Sequence, residues 1–128
     1  MNKKAFTLLE MLVVIGIISV LVTMGFASYS TVQKKSRDAK RQGDLKAAQQ
    51  VMEQCYSINS FQYPDYTTPS AGKFSVTCPT DANLKFTIVD PLNSSTYVYT
   101  MSRTTTTYTI TASDLEASTD TFAVSNQQ

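Results

Sequence analysis

The chain has 128 residues, 42% of them apolar, and a formal charge of +1 from eleven basic and ten acidic side chains. A chain of this length supports one small domain beside any long apolar segment. It contains no histidine, which removes the commonest general base and metal ligand. No nucleophile, base and orienting group come together in the sequence, so no catalytic residue, metal ligand or cofactor is assigned and an enzyme is not expected.

Residues 1–5, MNKKA, form a short basic leader that ends on a small residue, Ala5. Residues 6–29, FTLLEMLVVIGIISVLVTMGFASY, are then almost continuously apolar and hold one ionisable group, Glu10. As a helix rising ~1.5 Å per residue the run would extend roughly 36 Å, enough to cross a hydrocarbon layer of about 30 Å. It is apolar all round, and such a helix must be surrounded by lipid or by other apolar helices. A carboxylate inside that segment costs about 2.5 to 3.5 kcal/mol. Cutting the chain between Ala5 and Phe6 would create an α-amino group about one turn from Glu10, a cationic partner within one chain or between neighbours.

The stretch KKAFTLLEMLVVIGIISVLV resembles the processing and assembly segment of type IV pilins and the related pseudopilins. The resemblance implies that a dedicated prepilin peptidase removes the leader between Ala5 and Phe6. It implies that the new N-terminal Phe6 is methylated and that Phe6 and Glu10 set subunit register in a homo-oligomeric helical filament. It further implies an α+β, type IV pilin-like fold: a long N-terminal hydrophobic helix with its C-terminal half packed on a small antiparallel sheet. The chain would wait in the inner or cytoplasmic membrane and then join an extracellular filament through a pilus assembly machinery. Two residues depart from the family pattern: Ala5 stands where Gly is commoner, and Ala27 where many members have Pro. A competing reading is an ordinary secretory signal with Gly25-Phe26-Ala27 as its cut site; the run, however, exceeds the usual 7 to 15 apolar residues.

Tyr29 closes the run at the depth where amphipathic aromatics favour the membrane interface. No proline occurs from Thr31 to Ser57, so the helix is expected to continue. Residues 34–44 read as polar on every side, held by pairs such as Lys34 with Asp38 and Lys40 with Asp44, and Gly43 marks a candidate bend. This neck is basic and the remainder acidic, a pattern suited to attraction between neighbouring subunits. Lys34, Lys35, Arg37, Lys40 and Arg41 also raise a direct DNA contact through phosphates. Without interleaved aromatics for base stacking, a solvated collar is the preferred reading. Beyond the neck, Leu45, Ala48, Met52, Cys55 and Tyr56 recur at three- and four-residue spacing, a stripe that should lie against a sheet.

Cys55 and Cys78 suit one disulfide, worth roughly 3 kcal/mol, which would place the following domain outside the cytoplasm; the alternative is two buried thiols. The lysines and arginines after the apolar run oppose that orientation by the positive-inside rule. The outward arrangement is preferred because the flanking charges begin several residues beyond the run and the resemblance implies a cytoplasmic leader.

Residues 57–72, SINSFQYPDYTTPSAG, read as a long loop punctuated by Pro64, Pro69 and Gly72. Phe61, Tyr63 and Tyr66 either pin it down or bind at the surface. KFSVT, LKFTIV, TYVYTM and TYTITA then read as an antiparallel meander with Tyr108, Ile110 and Ala112 on one face and Thr107, Thr109 and Thr111 on the other. Phe122 and Val124 suggest a last short strand. The Thr-rich faces are solvated sheet or an adhesive, glycosylated surface, and Asn93-Ser94-Ser95 matches a glycosylation triplet. Asp114, Glu116 and Asp120 supply oxygens suited to calcium, in a spacing that matches no known loop. The expected division is a leader 1–5, an assembly helix 6–29, its amphipathic continuation 30–57 and a β-sheet head 58–128. The expected role is a pilus or pilus-like filament subunit, with a secretion pseudopilin or competence pilin as the alternative.

Overall fold

The computed structural model describes residues 5–67, 73–92, 94, 96–118 and 120–127. Residues 1–4 of the leader, the side chain of Ala27, Pro69 and Gly72 of the loop, and Asn93 and Ser95 of the triplet lie outside that set. With no proline before Pro64, one helix, α1, runs unbroken over Leu8–Ile58. The chain divides into two compact units, Met1–Lys34 and Lys35–Gln128.

In the first unit the described side chains of α1 are exposed, from Leu8 at 83% to Phe26 at 77%. In the second unit α1 becomes amphipathic, and Leu45, Ala48, Met52 and Cys55 of the expected stripe are fully buried. The first three pack in one core with Tyr63, Phe74, Val76, Tyr99, Met101, Tyr108, Ile110, Ala112 and Val124. A large apolar side chain taken from water contributes about 1.5 to 3 kcal/mol. Gly43 does not interrupt the helix.

The strands do not form a single meander; they make two three-stranded antiparallel sheets. One sheet orders β1 (Tyr66–Thr67), β2 (Lys73–Thr77) and β3 (Lys85–Val89), with Tyr66 opposite Val76 and Phe74 opposite Ile88. The other orders β4 (Tyr99–Arg103), β5 (Tyr108–Ala112) and β6 (Phe122–Ser125), with Ile110 between Met101 and Val124. The break falls after β3, where Pro91 cannot donate to a ladder. There the Asp90 carboxylate accepts the Leu92 N–H at 2.9 Å and the Arg41 Nε at 2.7 Å. The chain is thereby tied to α1 and does not return as a hairpin. Strand β1 lies inside the segment expected to be loop, because two residues bordering a proline turn carry too little alternation to read as a strand. In β5 the alternation holds: Tyr108, Ile110 and Ala112 are buried, whereas Thr109 is exposed.

Cys55 at the end of α1 and Cys78 just past β2 form a disulfide with a Cα separation of 5.7 Å. It fastens the helix to the first sheet.

Candidate assembly site

Two sets of side chains stand out: those at the start of α1, and those that lock the second unit around the later turns of the same helix. The first set begins with an N-terminal cap. The first helical N–H groups have no partner within a helix, and the chain meets that need reciprocally. Glu10 N–H donates to Thr7 Oγ1 at 3.2 Å, while Thr7 N–H and Oγ1 both donate to Glu10 Oε2, at 2.8 and 3.0 Å. This is a capping box. Ala5, Phe6, Thr7 and Glu10 line one shallow cavity, and Phe6 is 76% exposed. The expected cleavage, methylation and register residues are therefore neighbours.

Beyond the cap, α1 contains an 18-residue window of mean hydropathy 2.4, none of it buried, which is long and apolar enough to cross a membrane. Its polar side chains turn inward on the backbone: Ser19 Oγ donates to Ile15 O at 2.7 Å and Thr23 Oγ1 to Val20 O at 2.8 Å. Hydroxyls satisfied this way place no unmet polar demand on a hydrocarbon surround.

The second set corrects the expectation of a neck solvated on every side. Arg41 is fully buried. Its Nε donates to Asp90 Oδ2, its Nη1 to Asp114 O at 2.7 Å and its Nη2 to Ser113 O at 2.5 Å. The guanidinium also lies 5.4 Å from the Tyr97 ring centroid and 5.9 Å from that of Tyr99. One helical turn earlier, Arg37 pairs with Glu116 through two bonds. Asp38, also buried, accepts the N–H groups of Glu116 and Ala117 at 2.9 and 2.8 Å. Neither expected helix pair forms: Asp38 is committed to backbone, and Asp44 accepts the Tyr99 hydroxyl at 3.0 Å. Neck and head charges thus meet within one chain. Of the proposed phosphate-binding cations, Arg37 and Arg41 are spent on carboxylates of the same chain, and Lys34, Lys35 and Lys40 remain exposed. Of the acidic residues considered for calcium, Glu116 is engaged by Arg37, and no group of three or more metal-ligating side chains occurs among the described residues.

A second polar centre, half-buried, lies nearer the end of α1. Glu53 accepts the hydroxyls of Tyr63 and Tyr108 and the N–H of Gln127. Burial, and then the neighbouring carboxylate, push the Tyr63 and Tyr108 phenols well above their ordinary range. Tyr99 is raised in the same way, first by burial and then by Asp44. Gln49 Nε2 adds a bond to Ser125 O at 2.7 Å, so the C-terminal strand is held on the helix.

The reading of the residues missed Thr7, although the T-x-x-E spacing ahead of an apolar run is itself a cap signal. It also missed Arg41 with Asp90 and Glu53 with its two tyrosines. Those partners are 49, 10 and 55 positions apart, and no local pattern joins them.

Residues 1–26 match the family described as the prokaryotic N-terminal methylation motif. No curated protein and no solved structure matches the chain.

Proposed function

We propose that the chain, whose first 26 residues match the prokaryotic N-terminal methylation motif, is a structural subunit of a type IV pilus or pilus-like surface filament. It enters the inner or cytoplasmic membrane as a prepilin. The prepilin peptidase cuts between Ala5 and Phe6, the Phe6 amine is methylated, and the assembly machinery draws the apolar helix from lipid into a bundle of identical helices outside the cell. The observation that carries this reading is the first half of α1, whose described large apolar side chains are exposed. Lipid covers them before assembly and other copies cover them afterwards, at roughly 25 cal/mol per Å² buried. Lateral burial of this kind leaves sliding along the helix axis nearly free. A carboxylate that must meet a cation supplies the missing register, because an unmatched charge in such surroundings is costly.

The capping box makes the test sharper than removal of the side chain. Glu10→Ala would delete the charge together with the side-chain half of the cap, the bonds from Thr7 to Glu10 Oε2. Glu10→Gln keeps a side chain that serves in a capping box and removes only the charge. The Glu10→Gln precursor should insert and be cut before Phe6, as mass spectrometry of the N-terminus would report, yet enter sheared fibres at least tenfold less than wild type. Wild-type incorporation would sink the register role. The same chemistry serves a secretion pseudopilin or a competence pilin, and abundance separates them: a major pilin is the main protein of sheared surface fibres. The direct DNA contact loses two of its five cations to ion pairs within the chain.

A further inference from the structure

The Ala5–Phe6 bond lies just outside α1, although the composition around it favours more helix. Residues 3–6 read Lys-Lys-Ala-Phe, without glycine or proline; lysine is a good helix former and alanine the best. Once a helix as long as Leu8–Ile58 exists, its costly nucleus is already formed, and each further residue adds one bond. Extension toward the leader is therefore opposed by something other than residues 3–6.

The hydrogen bonds place the stop at Thr7. Met11 N–H donates to Thr7 O at 3.3 Å, which makes Thr7 the N-cap and the first acceptor of the helical ladder. The Thr7 hydroxyl accepts the Glu10 N–H and donates to Glu10 Oε2, and the Thr7 N–H donates to the same oxygen. An N-cap residue keeps a non-helical backbone, and Ala5, Phe6 and Thr7 all lie outside the helix and are exposed. Were α1 one turn longer, the Leu9 N–H would bond to Ala5 O. Peptide hydrolysis needs the reverse. Water adds across the bond, leaving a carboxylate on Ala5 and an amine on Phe6, and donors of the enzyme must receive the charge that develops on the Ala5 oxygen. A carbonyl already bonded along a helix and walled by its turns is closed to them.

We propose that Thr7 is a positioning residue for leader removal: its cap stops α1 short of the Ala5–Phe6 bond and so holds that bond in the open backbone a peptidase can take. The inference rests on the filament reading above, which supplies the cut, and adds the residue that presents the bond. The methylation motif matched over residues 1–26 is an independent sign that this end of the chain meets modifying enzymes. Thr7 acts through the backbone and not by touching the reacting atoms, so the requirement is for a capping side chain and not for the shape of threonine.

The test mixes the full precursor in detergent micelles with membranes that hold the prepilin peptidase and follows, by mass spectrometry, the appearance of chain beginning at Phe6. Thr7→Val keeps the branched shape and loses the hydroxyl, whereas Thr7→Ser and Thr7→Asn change the shape and keep a capping side chain. Thr7→Ala loses the cap and adds helix propensity. Only the open fraction of precursor binds, which raises an apparent KM and spares kcat. A lost cap shifts the helix equilibrium by up to about fivefold, so Thr7→Val should raise KM about two- to fivefold at unchanged kcat. Thr7→Ala should raise it further, and Thr7→Ser and Thr7→Asn should stay at the wild-type value. In the uncut precursors the Cα chemical shifts of Ala5 and Phe6 should move toward helical values in the same order. Wild-type KM for Thr7→Val, a serine or asparagine variant as slow as the valine one, a fall in kcat, or Ala5 and Phe6 shifts that stay put would each overturn the positioning role and leave the filament reading standing. A wild-type precursor that is never cut before Phe6 would overturn both.

Discussion

The two parts of α1 obey the same helical rules and reach opposite states. In the part belonging to the Met1–Lys34 unit, large apolar side chains such as Leu8, Leu21 and Phe26 are exposed. In the part belonging to the Lys35–Gln128 unit, the apolar stripe is fully buried and even an arginine is taken out of water. The later turns complete their folding inside one chain, with a core, a disulfide and paired charges. The earlier turns are unfinished: their backbone is satisfied, but their apolar surface calls for a surround of lipid or of other apolar helices. A subunit that must leave a membrane and join a polymer needs this division. In the proposed assembly the head stays folded while the other half exchanges its whole environment.

The largest expected effect comes from breaking the completed half at Arg41. Removing one partner of a buried pair leaves an uncompensated charge, at about 3 to 5 kcal/mol. Arg41→Ala strands Asp90 in this way and releases the carbonyls of Ser113 and Asp114 as well. Thermal denaturation of the full chain in detergent should show a head destabilised by that amount, with the helical signal of the apolar half intact. A matched apolar pair, Arg41→Met with Asp90→Leu, should recover the part of the loss that comes from stranded charge, while the Ser113 and Asp114 carbonyls and the Leu92 N–H still lack those partners. If the single and double variants lose stability equally, stranded charge is not the cause.

The contrast between the halves also decides what could be read in the residues. The apolar run, its lone acid and the three- and four-residue stripe from Leu45 to Cys55 are local patterns, and each survives in the structure because it is set by periodicity along one element. The alternation of Tyr108, Ile110 and Ala112 is legible for the same reason. Arg41 is not. A cation in a run of lysines and arginines looks solvated, and its burial depends on Asp90 and on carbonyls more than seventy positions away. The division into two sheets is hidden likewise, since it follows from where Asp90 is held and not from any strand's own composition. At the start of α1, Thr7 and Glu10 are three residues apart and fully legible as a cap. The cost of a buried acid draws attention to the charge of Glu10 and away from its hydrogen bonds.

A smaller effect should appear in alkali and again single out the head. Tyr63, Tyr99 and Tyr108 each hold their proton more firmly folded than unfolded, and free phenols ionise near pH 10. Their contribution is complete below about pH 10 and is lost as pH rises beyond it, by about 1.4 kcal/mol per pH unit for each phenol. Denaturation midpoints measured from pH 8 to 11 should be level at first and then fall. Glu53→Gln removes the carboxylate beside Tyr63 and Tyr108 but not the one beside Tyr99. Burial, the first cause of both shifts, remains in this variant, so the fall up to pH 11 should keep its slope. A shallower fall would mean that the carboxylate, and not burial, holds the two phenols protonated in that range.

The mildest test compares a glycine from each half. A methyl group added at Gly16 or at Gly43 meets nothing within 4 Å, so inside a single chain both positions accept alanine. At Gly43, exposed in the completed half, alanine should stabilise the head by up to about 1 kcal/mol through helix propensity, and fibres should form as before. At Gly16 the isolated subunit is equally permissive, but its neighbours in the proposed bundle are other helices, and glycine there allows backbones to approach more closely than alanine does. Gly16→Ala should therefore leave the inserted, processed subunit unchanged and lower the mechanical or thermal stability of fibres, read as earlier breakage on shearing. Equal behaviour of the two variants in subunit and fibre alike would mean that the apolar half keeps in the polymer the open surroundings it has alone. The distinction between a finished half and a waiting one would then fail at this position.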